Sequence, residues 1–385
     1  MGDNYICPRC GNSDTKYIGY LKGKPYCRFC ISMKGKEAEK QETNSGVVVF
    51  HLQYRLSKEQ EDLSKQIVAN YKNNIDTLVN AVCGAGKTEL VFSVIAYCLS
   101  KGKRIAFAVP RRDVVIELSH RIREVFANNT VISVYGGHTE KLEGDIVVLT
   151  THQFYRYEKY FDLIILDEID AFPFKNNKLL SSMFSRASNG PVVMMSATQS
   201  IDVIEYFSQK GKAILELNTR FHKHPLPVPV VVLKVGILKF FYLVKKSNEL
   251  LRNGKKLFIF VPTINECEIL YKFLKIFVKT GTFLHSKCKD RIQKIKDFKE
   301  GKYDYFVTTA VLERGVTYKD LQVIVYDADN DLYDSQTLIQ ISGRVGRKFD
   351  APEGEVIFLV NKETDEIKKT ISTIKTKNKY LQTLL

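Results

Sequence analysis

Residues 77–82 form an apolar run, a second apolar segment begins near Lys87, and between them the chain reads Ala81-Val82-Cys83-Gly84-Ala85-Gly86-Lys87-Thr88. A strand that passes through a turn of small residues into a helix fixes both a backbone path and a ligand. Small residues let successive backbone N–H groups point inward at phosphate oxygens, and the helix N-terminus adds partial positive charge. Gly84, Ala85 and Gly86 form the expected cradle, the Lys87 ammonium reaches the β- and γ-phosphates, and the Thr88 hydroxyl is suited to ligate Mg²⁺. The feature implies a nucleoside triphosphate site in a parallel α/β sheet. Ala81 stands where such loops usually begin with glycine, which is tolerable only if its backbone needs no positive φ.

Downstream, residues 104–109, 131–135 and 146–150 read as strands and 114–126 as a helix, the alternation of a doubly wound sheet. Ligands of such sheets gather at the carboxyl ends of strands. The loops Pro110-Arg111-Arg112, Gly136-Gly137 and Thr150-Thr151-His152-Gln153 are therefore candidates to follow a sugar-phosphate backbone without reading bases. A nearly continuous apolar strand, 161–166, ends in Asp167-Glu168-Ile169-Asp170. Asp167 is expected to hold Mg²⁺ and Glu168 to orient and polarise the attacking water. The strand 192–195 ends in Ser196-Ala197-Thr198, small groups placed to sense the phosphate state and relay it. Upstream, Ser57 caps a helix carrying Gln60, whose carboxamide matches the N7/N6 edge of adenine and so favours ATP.

The first 35 residues carry different chemistry. Cys7-Pro8-Arg9-Cys10 and Cys27-Arg28-Phe29-Cys30 are two C-x-x-C turns separated by 16 residues, the spacing of a four-thiolate zinc site with a hairpin between. Four protein ligands leave no open position, so the metal is expected to be structural. Lysines and arginines interleave with Tyr17, Tyr20, Tyr26 and Phe29, which suits either stacking on a single strand or a small core. Residues 36–50 are rich in Lys, Glu, Gln and Asn and read as a flexible tether. The remaining cysteines are scattered through apparent core elements, which argues against a disulfide framework. A net charge of +15 favours a polyanionic partner, although a Lys-rich solvated surface gives the same sum. The first residues lack a basic segment followed by an apolar run, and no window approaches a membrane span, so a cytoplasmic chain is expected.

In the second half, a strand over 256–262 precedes Thr263, and another over 306–309 brings Thr308 and Thr309 to the loop Ala310-Val311-Leu312-Glu313-Arg314-Gly315-Val316-Thr317. Gln340-Ile341-Ser342-Gly343-Arg344-Val345-Gly346-Arg347 closes the set. In this order the motifs resemble the superfamily 2 helicases and translocases. The four cysteines, Asp167-Glu168-Ile169-Asp170, Arg220-Phe221-His222-Lys223-His224-Pro225-Leu226-Pro227 and Leu312 to Thr317 together resemble, over essentially the whole chain, the ComFA family of late competence ATPases.

The resemblance implies two tandem RecA-like lobes, 51–218 and 219–385, behind the zinc module at 1–35. It implies that Arg344 and Arg347 face the nucleotide and that Gln340 helps couple hydrolysis to movement. By the same resemblance Thr308 and Thr309 join the nucleic-acid contacts, and single-stranded DNA passes through a membrane import channel with other competence proteins as partners. The chain would then work peripherally at the inner face of the membrane, its oligomeric state left open. A duplex-unwinding DNA or RNA helicase uses the same chemistry, and a zinc-ribbon scaffold with an ATPase switch is an alternative of another class. His222 and His224, beside Pro225 and Pro227, read as part of a stiff extended linker rather than a metal site, and the acidic run 327–331 as a solvated loop.

Overall fold

A computed structural model describes residues 5–384 apart from 32, 34, 41–42, 44, 53–54, 83, 169–177, 197–204, 206, 209–210, 221 and 310–317. The chain divides into two compact units, one of Met1–Ala81 with Gly86–Leu217 and one of Val82–Ala85 with Asn218–Leu385. The expected Ile169, Asp170, Ala197, Thr198, Cys83 and the loop 310–317 fall outside the described residues.

The first unit opens with a hairpin, β1 (Ile18–Leu21) and β2 (Lys24–Cys27), lying between the two cysteine turns as the spacing predicts. There follow α1 (Lys58–Lys72), β3 (Asp76–Ala81), α2 (Lys87–Leu90), α3 (Phe92–Ser100), β4 (Ile105–Val109), α4 (Arg112–Val125), β5 (Val131–Val134) and β6 (Ile146–Thr150). A 3-10 turn (Thr151–Arg156), β7 (Leu163–Asp167), α5 (Lys178–Ala187), β8 (Val192–Ser196) and β9 (Lys212–Leu217) complete it. The strands form one parallel sheet in the order β5-β6-β4-β7-β8-β3-β9. Helices cover both faces of such a sheet, so its central strands are apolar throughout. Every residue of β4 and β6 is buried accordingly. Helix α1 begins in a reciprocal capping box, with the Ser57 hydroxyl accepting from the Gln60 amide and the Gln60 side chain accepting from the Ser57 amide.

The cysteine module packs on this lobe. Its four cysteines share one apolar cluster with Phe154, Tyr155, Phe161, Met183 and Phe184, and Ile18 and Phe29 pack against the same cluster. Residues described between 36 and 50 have no helix or strand, yet the stretch read as a tether is fastened to the lobe at several points. Arg156 donates through Nη1 to the Lys36 carbonyl (2.8 Å), and the Ala38 amide donates to the Arg156 carbonyl (2.8 Å). Glu37 pairs with Arg9 at 3.1 Å and Arg186 at 3.4 Å, and the Thr43 hydroxyl donates to the Gly102 carbonyl.

The second unit holds β10 (Val230–Leu233), α6 (Ile237–Arg252), β11 (Lys256–Phe260), α7 (Ile264–Phe277), β12 (Gly281–Leu284) and α8 (Arg291–Lys299). It continues with β13 (Tyr305–Thr308), β14 (Leu321–Tyr326), α9 (Ser335–Ser342), β15 (Val356–Val360) and α10 (Asp365–Leu384). Its parallel sheet runs β10-β15-β14-β11-β13-β12. At the C-terminus α10 buries Ile367, Ile374 and Leu381. The acidic run differs from a purely solvated loop. Asp327 pairs with the buried Lys239 of α6, and Asp329 accepts from the Asn361 amide at 3.1 Å, so the run ties the end of β14 to α6 and to the segment after β15.

Candidate nucleotide site and nucleic-acid face

The sheet order places the triphosphate loop. β3 delivers Ala81 fully buried as its last residue, outside the positive-φ region, so the alanine at the usual glycine position costs nothing. Gly84 (φ +84) and Gly86 (φ +73) do take left-handed conformations that an L side chain would strain. The side-chain nitrogen of Gln60 would meet a Cβ on Gly86 at 2.8 Å. The buried Gln60 thus has its oxygen on the Ser57 amide, at 2.8 Å, and its NH₂ end against the phosphate loop.

Two strands away, β7 ends at Asp167, whose Oδ1 lies 4.0 Å from Lys87 Nζ. Ser196 closes β8, the strand between them, and is buried. Glu168 follows with φ +59, its amide donating to Asp167 Oδ1 at 2.9 Å. A left-handed glutamate costs roughly 1–2 kcal/mol. Such strain is typical of residues held in place for chemistry. Cation, carboxylates and small hydroxyl thus lie at the carboxyl ends of β3, β8 and β7, where a doubly wound sheet binds ligands.

The other three loops share that edge. In the order β5-β6-β4, Gly136 and Gly137 follow the first strand, Thr151 and His152 the second, and Pro110, Arg111 and Arg112 the third. Thr151 is buried while Arg112, Gly136, Gly137 and His152 are exposed, so the accessible groups of this row are guanidinium, imidazole and turn backbone.

In the second unit, Arg344 and Gln340 are buried and Arg347 half-buried. Arg347 Nε donates to the Gly343 carbonyl at 2.8 Å. Thr308 is fully buried and its hydroxyl donates to the Leu284 carbonyl at 2.8 Å, so this expected nucleic-acid contact is spent on joining β13 to β12. Thr309 beside it is also buried.

Sequence reasoning named Arg220 and His222 but gave them no part in shaping this loop. Arg220, 2% exposed, donates through Nη1 to Gly346 O (2.9 Å) and through Nη2 to Gly343 O (3.2 Å) and Val345 O (3.0 Å). His222 Nδ1 accepts from the His224 amide at 3.1 Å, which fixes the neutral tautomer with its proton on Nε2. That proton is donated to Gly346 O at 2.9 Å. Burial first, and then the Arg220 charge, bring His222 down to about 4. The stretch read as a stiff linker is therefore a clamp on the carbonyls of the arginine loop. Its partners lie more than 120 residues away in the chain, so no local pattern could reveal them.

The four cysteine sulfurs lie within 4.8 Å of one another, with Cys7–Cys30 and Cys10–Cys27 each at 3.7 Å. Zn–S bonds of about 2.3 Å in a tetrahedron require sulfurs roughly 3.8 Å apart. Donor set and spacing both fit zinc.

The model for the helicase conserved C-terminal domain matches residues 242–349, and that for the type III restriction enzyme res subunit matches 53–210. The competence protein ComFA of Bacillus subtilis (strain 168) is 32% identical over 378 residues, covering 92% of this chain and 81% of that protein. The chain belongs to the ComFA family. The ComFA protein of Streptococcus pneumoniae (strain R6) is likewise 32% identical, covering 97% of this chain and 90% of the relative. Among solved structures, S. cerevisiae Dbp5 bound to RNA and ADP BeF3 superimposes with a TM-score of 0.64 at 18% identity, over 84% of this chain and 92% of that one. The DEAD-box helicase Mss116 bound to ssRNA and UDP-BeF gives 0.67 at 18%, over 83% and 77%. The fold of this ComFA-family chain is that of tandem RecA-like lobes, and its domains are those of an ATP-hydrolysing superfamily 2 enzyme. Among the described residues no helix is long and apolar enough to cross a membrane.

Proposed function

We propose that this chain is a single-stranded DNA translocase that drives uptake of transforming DNA at the inner face of the membrane, with channel and competence proteins as partners. The observation that carries the reading is the nearness of Lys87 to Asp167, with Glu168 next in the chain, on a sheet edge that also presents Arg112, Gly136, Gly137 and His152. In this reading Gln60 selects adenine and the 84–86 backbone cradles phosphates. Lys87 neutralises the terminal phosphates, and Thr88 and Asp167 hold Mg²⁺, which would supply Lewis-acid stabilisation of the transferred phosphoryl group. Glu168 orients and polarises the attacking water. Arg344 and Arg347 are assigned to the charge developing on the γ-phosphate, while Ser196, Ala197, Thr198 and Gln340 couple phosphate state to strand grip. Movement follows if the nucleotide states differ in affinity for the strand. Zinc at Cys7, Cys10, Cys27 and Cys30 holds the N-terminal module together.

ATP hydrolysis by wild type, Lys87→Ala and Glu168→Gln, with and without a single-stranded oligonucleotide, tests this. The expected outcome is DNA-stimulated turnover that falls about 10²–10⁴-fold in Glu168→Gln. Turnover indifferent to DNA would remove the translocase reading, and activity that survives Glu168→Gln would remove that residue as the water-orienting group. Affinity should also fall steeply with salt, as phosphate contacts release counterions.

A further inference from the structure

Backbone tracking leaves one part of the sheet edge unexplained. Beyond β5, Tyr135 and His138 close a two-residue turn through reciprocal backbone hydrogen bonds, Tyr135 N to His138 O at 3.2 Å and His138 N to Tyr135 O at 2.9 Å. Their rings stack at 4.9 Å between centroids and 19° between planes. The Arg112 guanidinium, from the first turn of α4, lies over the Tyr135 ring at 4.8 Å. Cation, phenol and imidazole are thus layered at the surface, with the His138 side chain 51% exposed.

The turn itself is open. Gly137 has φ +81 and a conformational reason to be glycine. Gly136 has none, since its φ is not in the left-handed region and no atom lies within 4 Å of where its Cβ would stand. The Arg112 charge stands close by, and the imidazole offers a flat π face beside the Tyr135 ring. Every nucleobase has a π face, so stacking of this kind is tolerant of sequence.

We propose that the Tyr135–His138 turn is a stacking platform for an unpaired nucleobase, with His138 making the contact and Tyr135 and Arg112 holding its ring in place. It rests on the nucleic-acid reading above and adds to it that the first lobe grips bases as well as phosphates. The motor would then distinguish a single strand, whose bases can splay out, from a duplex, whose bases cannot.

The test is fluorescence anisotropy of the full chain with a labelled oligothymidylate and with an abasic oligonucleotide of equal phosphate number. Wild type should bind the base-bearing strand more tightly. His138→Ala should weaken that binding about fivefold or more, the range of a lost base–aromatic stack. It should leave abasic binding unchanged, and His138→Phe should restore the preference. Equal loss on both strands would overturn the proposal in favour of a phosphate contact, and no loss on either would reduce the stack to a turn stabiliser. Failure of wild type to bind either strand would overturn the translocase reading as well.

Discussion

Arg220 offers the sharpest perturbation of the second unit. Its guanidinium is 2% exposed and faces three backbone carbonyls, those of Gly343, Val345 and Gly346, at 2.9–3.2 Å. The charge is met by carbonyl dipoles at the C-terminus of α9, where a cation is favoured. In Arg220→Ala those bonds vanish; Gly346 O keeps His222 Nε2 and Gly343 O keeps Arg347 Nε, while the Val345 carbonyl loses this donor. Hydrogen bonds from a charged group contribute about 1.5–3 kcal/mol each and do not add in full. A buried carbonyl left without its donor costs about 1–3 kcal/mol. The loop has no slack to absorb the loss, because a Cβ on Gly346 would meet the Pro352 carbonyl at 2.1 Å. Hydrogen exchange of the 343–347 amides should accelerate by roughly 5- to 100-fold, at about 1.4 kcal/mol per decade. ATP turnover should fall with it, since Arg344 and Arg347 ride on the released backbone. Arg220→Lys, which cannot span three carbonyls, should lie between. Unchanged protection at 343–347 in Arg220→Ala would refute the clamp, whatever happened to global stability.

Three further outcomes follow from the same physics. His222 is neutral in the fold at about 4 but would titrate near 6.5 when unfolded, so the unfolded chain gains a proton first as pH falls. Stability should therefore drop by about 2 kcal/mol between pH 6.5 and 4, after discounting for solvent screening, and His222→Gln should flatten that slope in urea titrations at each pH. Chelation of zinc, or Cys27→Ser, should raise hydrogen exchange in the 3-10 turn Thr151–Arg156 and in α5 as well as in the cysteine module, because all three share one apolar cluster; exchange confined to residues 5–31 would contradict the shared core. Gly86→Ala, which forces φ +73 on an L residue and drives a methyl into Gln60, should abolish ATP binding measured by calorimetry and lower the thermal transition of the free protein by only a few degrees, since the strain is roughly 1–2 kcal/mol.

Much of this molecule is written locally. Continuous apolar runs announced β4, β6 and β7, and the acidic and glycine motifs could be placed at strand ends because a parallel sheet gathers its ligands there. The cysteine spacing gave the sulfurs their neighbourhood. What stayed hidden depends on distant partners or on backbone atoms. Arg220 looks like any surface arginine until Gly343–Gly346 is brought to it. Residues 36–45 look solvated from their Lys and Glu side chains, yet the Lys36 carbonyl and the Ala38 amide do the fastening, and composition says nothing about those. Asp327 and Lys239 are 88 positions apart, so their pairing had no sequence signature. Thr308 lay at a strand's end as expected, but its hydroxyl faces the neighbouring strand.

The packing of the cysteine module also bears on where this protein can be cut. Composition invites a boundary near residue 46, just past the polar stretch. A chain begun there would uncover Phe154, Tyr155, Met183 and Phe184 and strip Arg156 of its carbonyl acceptor. It would be a lobe with an oily wound rather than a motor without its accessory. Any loss of DNA binding in it would report a damaged surface as readily as a missing grip. Zinc, where bound as proposed, belongs to the same account: removing it would withdraw part of the first lobe's floor, and the ATPase is expected to register the loss though Cys7, Cys10, Cys27 and Cys30 lie in a separate module.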